Sequence, residues 1–143
     1  KAELATARDN LSKGVVVSPI SGTVIAINGR PGERPGSEGI LTLGNTDQMQ
    51  VELEVYQTDI KHVASGQKVV VSSPALSQEL QGSVAFIGHE VERQTVLSAD
   101  PAANTDARVI RVTADLDPAS SALAGRLTGL EVVGRVAVGK DHE

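Results

Sequence analysis

The sequence predicts a mainly β protein made of short strands and tight turns. Nineteen Val and seven Ile among 143 residues supply side chains branched at Cβ, which fit a pleated strand better than a helix. Fourteen Gly and six Pro interrupt the apolar runs at short intervals, which is typical of turns between strands. We therefore expect one domain or two small ones, with helix confined to two stretches.

The first stretch, residues 1–13, predicts a helix, because its Ala, Glu, Leu, Arg and Lys favour helix and Gly14 is a common C-terminal cap. Leu4, Ala7 and Leu11 form a narrow apolar seam, as in a coiled coil. Thirteen residues span only about 20 Å. We expect the end of a longer coiled-coil helix that starts before residue 1; the alternative is a helix packed on its own domain.

A Gly- and Pro-rich loop at 28–39 separates two predicted strands, 22–27 and 40–43. A further short β run is expected at Val15–Val17. Within the loop, Arg30–Glu33 has Pro second and Gly third, as a type II turn requires. The hairpin is followed by a predicted module boundary near residues 47–49.

Beyond that boundary the apolar pattern alternates cleanly. Val51, Leu53 and Val55 alternate with glutamates, which predicts a half-buried strand. Residues 58–63 predict a short helix with Thr58 as its cap, ended by Ser65-Gly66. Four further strands are expected, at 68–72, 82–87, 108–116 and 131–138.

Composition excludes several classes of protein. A net charge of −5 argues against a general nucleic-acid binder, and no apolar run approaches the roughly 18 residues of a membrane span. Without Cys the chain can form neither a disulfide nor a thiolate metal site. Tyr56 and Phe86 are the only aromatic residues, too few for a base- or sugar-stacking platform.

Candidate catalytic chemistry is sparse. His62 has only Asp59 as a nearby carboxylate, and one such pair does not make a metal site. Residues 89–93 predict a polar loop, and Asp117-Pro118 predicts a turn. The segment 100–106, DPAANTD, has fewer oxygen ligands than a calcium loop needs. With no nucleophile, phosphate or dinucleotide motif either, we expect no catalytic, cofactor or metal site, and a binding or structural module rather than an enzyme.

Residues 15–33, VVVSPISGTVIAINGRPGE, resemble the point where HlyD-type periplasmic membrane fusion proteins leave their α-helical hairpin. That family has Ala-Pro, a spacer, Gly and alternating Val/Ile in one half of a lipoyl-like module; Ser18-Pro19 stands for Ala-Pro here. Residues 39–43 and 49–51 match the strands that follow. Residues 56–60, 66–71 and 127–138 match a short acidic helix, a Gly-Gln–Val run and a closing strand of the family's β-barrel. The resemblance covers nearly the whole chain.

The resemblance implies three parts: the end of a coiled-coil hairpin helix at 1–13, the second half of a lipoyl-like domain at 14–47, and a β-barrel domain at 48–143. It implies a periplasmic adaptor that forms a ring, typically a hexamer, and links an inner-membrane transporter to a TolC-like outer-membrane channel through its hairpin tip. In the family, that tip, the first lipoyl half and the membrane anchor all precede residue 1.

Residues 92–112, ERQTVLSADPAANTDARVIRV, resemble the adaptor branch that includes the cyanobacterial heterocyst-glycolipid exporter. This implies an ABC permease and its ATPase as partners, and glycolipid as a candidate cargo. Two alternatives stay open: an adaptor of a proton-driven efflux pump, and a lipoyl or biotinyl carrier, which needs a modifiable Lys at a hairpin tip.

By the same resemblance, the loop that follows the Gly-x-Val strand, here Gly22-Thr23-Val24, points into the central channel. Asn28, Arg30 and Glu33 occupy that loop here and are the expected channel-lining residues; the alternative is an ordinary polar turn. Asp59, Lys61 and His62 are expected on an exposed helix face that contacts the transporter or a neighbouring barrel; the alternative is a solvated surface. No cofactor is expected, because the lipoyl-like module of these adaptors carries none.

Overall fold

A computed structural model describes residues 2–95 and 107–138 of the chain. It confirms the mainly β class and divides the chain into two compact units, Lys1–Asn45 and Thr46–Glu143. The first unit contains helix α1 (Ala2–Ser12) and strands β1 (Thr23–Ile27) and β2 (Leu41–Gly44). The second contains β3 (Gln50–Tyr56), a 3-10 turn (Ile60–His62), β4 (Lys68–Ser72), β5 (Leu80–Arg93), β6 (Arg108–Leu116), α2 (Pro118–Ala124) and β7 (Val133–Val136).

In the first unit, β1 and β2 form an antiparallel hairpin with an irregularity between Val24 and Ala26. The predicted strand at Val15–Val17 is wrong: these residues are irregular and 70–82% exposed. β-Branched side chains favour extended backbone, but a strand also needs a neighbour to pair with, and the first unit supplies only the β1–β2 pair among its described residues.

The loop between β1 and β2 closes as the sequence predicts. The Glu33 amide donates to the Arg30 carbonyl at 3.1 Å, and Gly32 has φ of 88°. A type II turn needs a positive φ at its third residue, and Gly adopts it without the steric penalty that a Cβ would bring.

In the second unit, five antiparallel strands pair in the order β3-β6-β5-β4-β7. The sheet curls until its two edge strands, β3 and β7, meet. Their proximity is shown at Gly134 of β7, where an added Cβ would touch the Leu53 side chain of β3. Within the described strands the edges are joined by side-chain packing and not by a backbone ladder. The unit is therefore a partly open barrel.

The barrel core consists of aliphatic side chains at alternate strand positions. Val51 and Leu53 of β3 are buried as the alternation predicts, while Glu52 between them is exposed. The most completely buried core residues lie on β4 and β6 and are Val69, Val71, Val112 and Ala114.

Helix α2 is absent from the sequence-based expectations, which placed a turn at Asp117-Pro118. Asp117 is its N-cap and accepts the Ser120 amide at 2.6 Å, and Pro118 occupies the first helical turn, where its missing N–H is harmless. The backbone hydrogen bond from Ser120, and then its side-chain bond, lower the pKa of the Asp117 carboxyl because both stabilise the charged form.

Two further expectations need correction. Strand β5 extends to Arg93, so His89-Glu90 and Glu92-Arg93 lie in a strand and not in a loop. Its pairing with β6 is irregular between Ile87 and Val91, which lets a polar stretch continue the strand. The short helix at 58–63 is a single 3-10 turn whose N-cap is Asp59 and not Thr58, with no side-chain capping bond.

Candidate functional site

The predicted channel-lining loop is anchored by Asn28. Its side-chain amide donates to the Glu38 carbonyl at 3.2 Å and to the Thr42 hydroxyl at 3.1 Å. Its backbone N–H and that of Gly29 both donate to the Ile40 carbonyl. Asn28 therefore holds the two sides of the loop together. Its side-chain amide is engaged in these hydrogen bonds, so Asn28 is a positioning residue for the loop.

Arg30 and Glu33 lie at the two ends of the type II turn, and both are exposed. In the part of the chain that the structure describes, the four ion pairs involve other residues, so neither charge is neutralised by a salt bridge there. The turn thus presents one cation and one anion to solvent. The hydrogen bonds of Asn28 hold the base of the loop that carries the turn.

The second predicted surface is the 3-10 turn. Asp59, Lys61 and His62 are all exposed, whereas Ile60, between them, packs partly against the barrel core. The turn is closed by the His62 amide, which donates to the Asp59 carbonyl at 3.0 Å. The three predicted residues therefore share one solvent-facing turn that its apolar neighbour seats on the barrel.

Gln67 is a positioning residue that sequence reasoning missed. Its side-chain amide donates to the His62 carbonyl at 3.0 Å, and its side-chain oxygen accepts the Ala64 amide at 3.0 Å. Its own carbonyl accepts the Val84 amide, which ties the turn to β5. The Gly66-Gln67 pair is the signal in the sequence, but only the folded turn shows which atoms the glutamine reaches.

A charged cluster on the outer face of β3, β6 and β5 was also missed. Arg111 of β6 makes ion pairs with Glu52 at 3.2 Å and with Glu92 at 2.9 Å, on the two flanking strands. Arg111, Glu52 and Glu92 are partly exposed and mutually paired, so they tie three strands together and leave no free general acid or base among themselves.

Elsewhere on β5, Phe86 packs edge-on against His89, with 6.0 Å between ring centroids.

Residues 2–95 and 107–138 hold no group of three His, Asp or Glu that is placed to bind a metal ion. None of the helices in those ranges has the length and apolar character needed to cross a membrane. The segment 100–106, discussed above as a calcium loop and as part of the glycolipid-exporter resemblance, lies outside the described ranges, as does His142.

The loop between β1 and β2 bears on the alternative of a lipoyl or biotinyl carrier. A lipoyl or biotinyl carrier presents its modified Lys at the tip between two strands. The loop between β1 and β2, residues 28–40, contains Arg30 and Arg34 but no Lys. The basic residues of this loop have guanidinium groups, which do not form the amide that links a carrier to its cofactor.

Comparison with known proteins gives structural matches only. Neither protein-family models nor curated protein sequences match the chain. Among solved structures, the membrane fusion protein Spr0693 from Streptococcus pneumoniae R6 superposes with a TM-score of 0.58 and 20% identity, covering 96% of this chain and 55% of that protein. ZneB from Cupriavidus metallidurans gives a TM-score of 0.46 and 25% identity, covering 68% of this chain and 37% of that one.

The match to the pneumococcal protein shows the fold. It runs through almost all of this chain but spans only 55% of the other protein's length. The chain therefore has the fold of just over half of a membrane fusion protein.

Proposed function

We propose that the chain is part of a periplasmic adaptor that links an inner-membrane transporter to an outer-membrane channel. The observation that carries this proposal is the match to a membrane fusion protein along 96% of the chain. The resemblance of residues 15–33 and 66–71 to the HlyD-type pattern supports it from the sequence side.

The proposal extends to partners that follow from the family resemblance. The transporter is an ABC permease with its ATPase, the channel is of the TolC type, and the adaptor forms a ring of identical subunits. Glycolipid is the proposed cargo. An adaptor of a proton-driven efflux pump is the second candidate.

Within the ring, the turn Arg30–Glu33 lines the export path. The support is geometric: both side chains are exposed, the turn is closed by a backbone hydrogen bond, and Asn28 fixes its base through two side-chain hydrogen bonds. Repetition around a ring would place several copies of each charge around the path, and charges presented in a narrow passage act on a solute more strongly than in open water.

The 3-10 turn is the proposed contact with the transporter or a neighbouring barrel. Asp59, Lys61 and His62 are exposed together, and Gln67 holds their backbone in one geometry. A prearranged surface loses less conformational entropy on binding than a mobile one.

Crosslinking in the native envelope tests the adaptor role. A photoreactive residue replaces Lys61, and a matched one replaces Arg126, another exposed cation of the same unit. Capture of an ABC permease from position 61 but not from 126 supports both the role and the surface. Capture of a proton-driven pump selects the second candidate, and capture of no transporter from either position contradicts the proposal.

Export assays test the channel-lining turn. The double change Arg30→Ala with Glu33→Ala removes one charge of each sign, and Arg135→Ala with Glu79→Ala removes the same charges from a surface ion pair of the barrel. We expect the first pair to alter export rate or cargo preference at normal protein levels and the second to leave both unchanged. Equal export by the two double variants would contradict a role for the turn.

A further inference from the structure

The loop between β1 and β2 begins with Asn28 and Gly29, a pair whose atoms can react with each other. The backbone nitrogen that follows an asparagine can attack the side-chain amide carbon, and glycine hinders this attack least because it has no Cβ. The other asparagines of the chain, Asn10, Asn45 and Asn104, are followed by Leu or Thr. Asn28 is therefore the asparagine whose sequence context most favours this reaction.

In the folded loop, hydrogen bonds hold both reacting groups. The Gly29 amide donates to the Ile40 carbonyl at 3.1 Å, so the nitrogen that would attack keeps its proton in a hydrogen bond. The Asn28 side-chain nitrogen, which would leave, donates to the Glu38 carbonyl at 3.2 Å and to the Thr42 hydroxyl at 3.1 Å. The reaction therefore requires the loop to open first.

Opening of this loop does not disturb the barrel core, because the loop joins the two strands of a separate two-stranded sheet. A two-stranded hairpin has only marginal stability of its own. Asn28 is exposed and Gly29 is half-buried, so water reaches both residues. The closed loop can thus slow the reaction without preventing it.

We propose that Asn28-Gly29 is a self-modification site whose rate is set by the hydrogen bonds of the loop. The Gly29 nitrogen loses its proton and forms a bond to the side-chain carbon of Asn28. The bond from that carbon to the amide nitrogen breaks, and ammonia leaves. Water then opens the succinimide ring and produces aspartate or isoaspartate. No oxidant, reductant or co-reactant other than water takes part.

The product cannot remake the closed loop. An ionised carboxylate only accepts hydrogen bonds, so it offers no donor to the Glu38 carbonyl that the Asn28 amide reaches. It also adds one negative charge to a loop in which Arg30 and Arg34 balance Glu33 and Glu38. Modification therefore releases the loop and makes it acidic. This inference does not rest on the adaptor role, because it concerns the chemistry of the chain itself.

Peptide mapping by mass spectrometry tests the proposal on the full chain, incubated in mildly alkaline buffer beside a peptide of residues 22–35 as the unfolded reference. We expect Asn28 to react about thirtyfold more slowly in the chain than in the peptide, which corresponds to two hydrogen bonds of about 1 kcal/mol each. Equal rates in the chain and the peptide would overturn the proposal, as would faster modification of Asn45 than of Asn28 in the chain.

Two matched substitutions test the role of the hydrogen bonds. Thr42→Val removes one acceptor of the Asn28 amide and keeps a β-branched side chain in β2. We expect it to speed modification about fivefold, the effect of losing one hydrogen bond of about 1 kcal/mol. Thr58→Val makes the same change at an exposed residue of the barrel unit and should leave the rate unchanged. An unchanged rate in Thr42→Val, or an equal acceleration in both variants, would refute the gating.

Gly29→Ala tests the attacking nitrogen. The added Cβ would lie 3.6 Å from the nearest Ile40 atoms, an ordinary contact, so the loop can keep its conformation. We expect the substitution to slow modification of Asn28 in the chain and also in the peptide, where folding has no influence. No slowing in the peptide would refute attack by this nitrogen.

Hydrogen exchange measures the effect of the product on the loop. Asn28→Asp represents the aspartate form and should speed exchange of the Gly29 amide about fivefold, again the effect of losing about 1 kcal/mol. Equal protection of this amide in the variant and the unsubstituted chain would overturn the inference that modification releases the loop.

Discussion

Gly82→Ala should destabilise the barrel strongly, because the added methyl group would overlap the backbone of a neighbouring strand. Gly82 lies in β5 between β4 and β6, opposite Val69 on one side and Leu116 on the other. A Cβ at this position would lie 3.1 Å from the Asp115 carbonyl carbon and 3.2 Å from the Leu116 Cα, with the Asp115 oxygen closer still. No side-chain rotation relieves an overlap with backbone atoms.

The magnitude follows from what holds β6 in place. The Leu116 amide donates to the Met49 carbonyl at 3.0 Å, and the Asp117 amide donates to the Gln81 carbonyl at 3.0 Å. Overpacking typically costs about 1–3 kcal/mol, and weakening two hydrogen bonds adds about 1 kcal/mol. We expect Gly82→Ala to lower the free energy of unfolding by about 3 kcal/mol, a large share of the roughly 5–15 kcal/mol typical of a domain.

Gly134→Ala is the matched control. The three atoms nearest to its Cβ would all belong to the Leu53 side chain, with Cδ1 at 3.0 Å and Cδ2 closer still, and that side chain can change rotamer. We expect a loss of about 1 kcal/mol. Urea unfolding followed by the fluorescence of Tyr56, the only Tyr and a residue of β3, reports on the barrel unit. Equal losses in the two variants, or a smaller one in Gly82→Ala, would refute the reasoning.

Three other changes probe the positioning residues. Because the pKa of Asp117 is lowered in the folded chain, the stabilising effect of its carboxylate is present above the unfolded pKa of about 3.9 and is lost as pH falls through the lower folded value. Urea unfolding should therefore show that Asp117→Ala lowers the free energy of unfolding by a constant amount from about pH 5 to 8. Below about pH 4 the difference between the variant and the unsubstituted chain should shrink. Ser121→Ala leaves the Met49 amide without its hydrogen-bond acceptor and should lower the free energy of unfolding by about 1–3 kcal/mol. Ser77→Ala, at an exposed position of the same unit, should change it by less than about 0.5 kcal/mol in the same assay. Gln67→Ala should speed hydrogen exchange at the Ala64 amide; Gln67→Glu, which keeps the acceptor, should leave that amide protected, and equal exchange rates would contradict the assigned bond.

The strands that the sequence predicts best are those with one buried and one wet face. In β3 and β6, apolar and polar residues alternate because one face of the antiparallel sheet is exposed to solvent. This period of two can be recognised from the sequence alone. The length of β5 could not be predicted in this way. Its pairing irregularities shift the alternation, and its second half lies beside Arg111, whose ion pair stabilises a polar strand that looks like a loop in isolation.

Helix α2 could not be predicted because its local signal has two meanings. Asp-Pro starts turns and helices alike, and seven residues are too few for helical periodicity to decide. The deciding interactions are distant in sequence: Ser120 accepts the Gln81 amide at 2.8 Å, and Ser121 accepts the Met49 amide at 3.2 Å. These bonds satisfy backbone donors at the starts of two strands, and no sequence window contains both partners.

The candidate surfaces divide in the same way. Exposure of Arg30, Glu33 and Lys61 could be predicted, since charged residues in turns are rarely buried. The side-chain bonds of Asn28 and Gln67 depend on which carbonyls the folded turns bring within reach. The residues that present charge can therefore be recognised from the sequence, whereas the structural role of Asn28 and Gln67 depends on contacts that only the folded chain makes.

The edge between β3 and β7 closes the barrel by side-chain packing. Among the described strands these two close the barrel by packing alone, chiefly Leu53 against Gly134, and a groove lined by both strands runs along the edge. Separating β3 from β7 breaks no backbone ladder among the described strands, so it costs less free energy than separating two hydrogen-bonded strands. A methyl group at Gly134 displaces Leu53 at this edge, which makes Gly134→Ala a test of how much the packing between β3 and β7 stabilises the barrel.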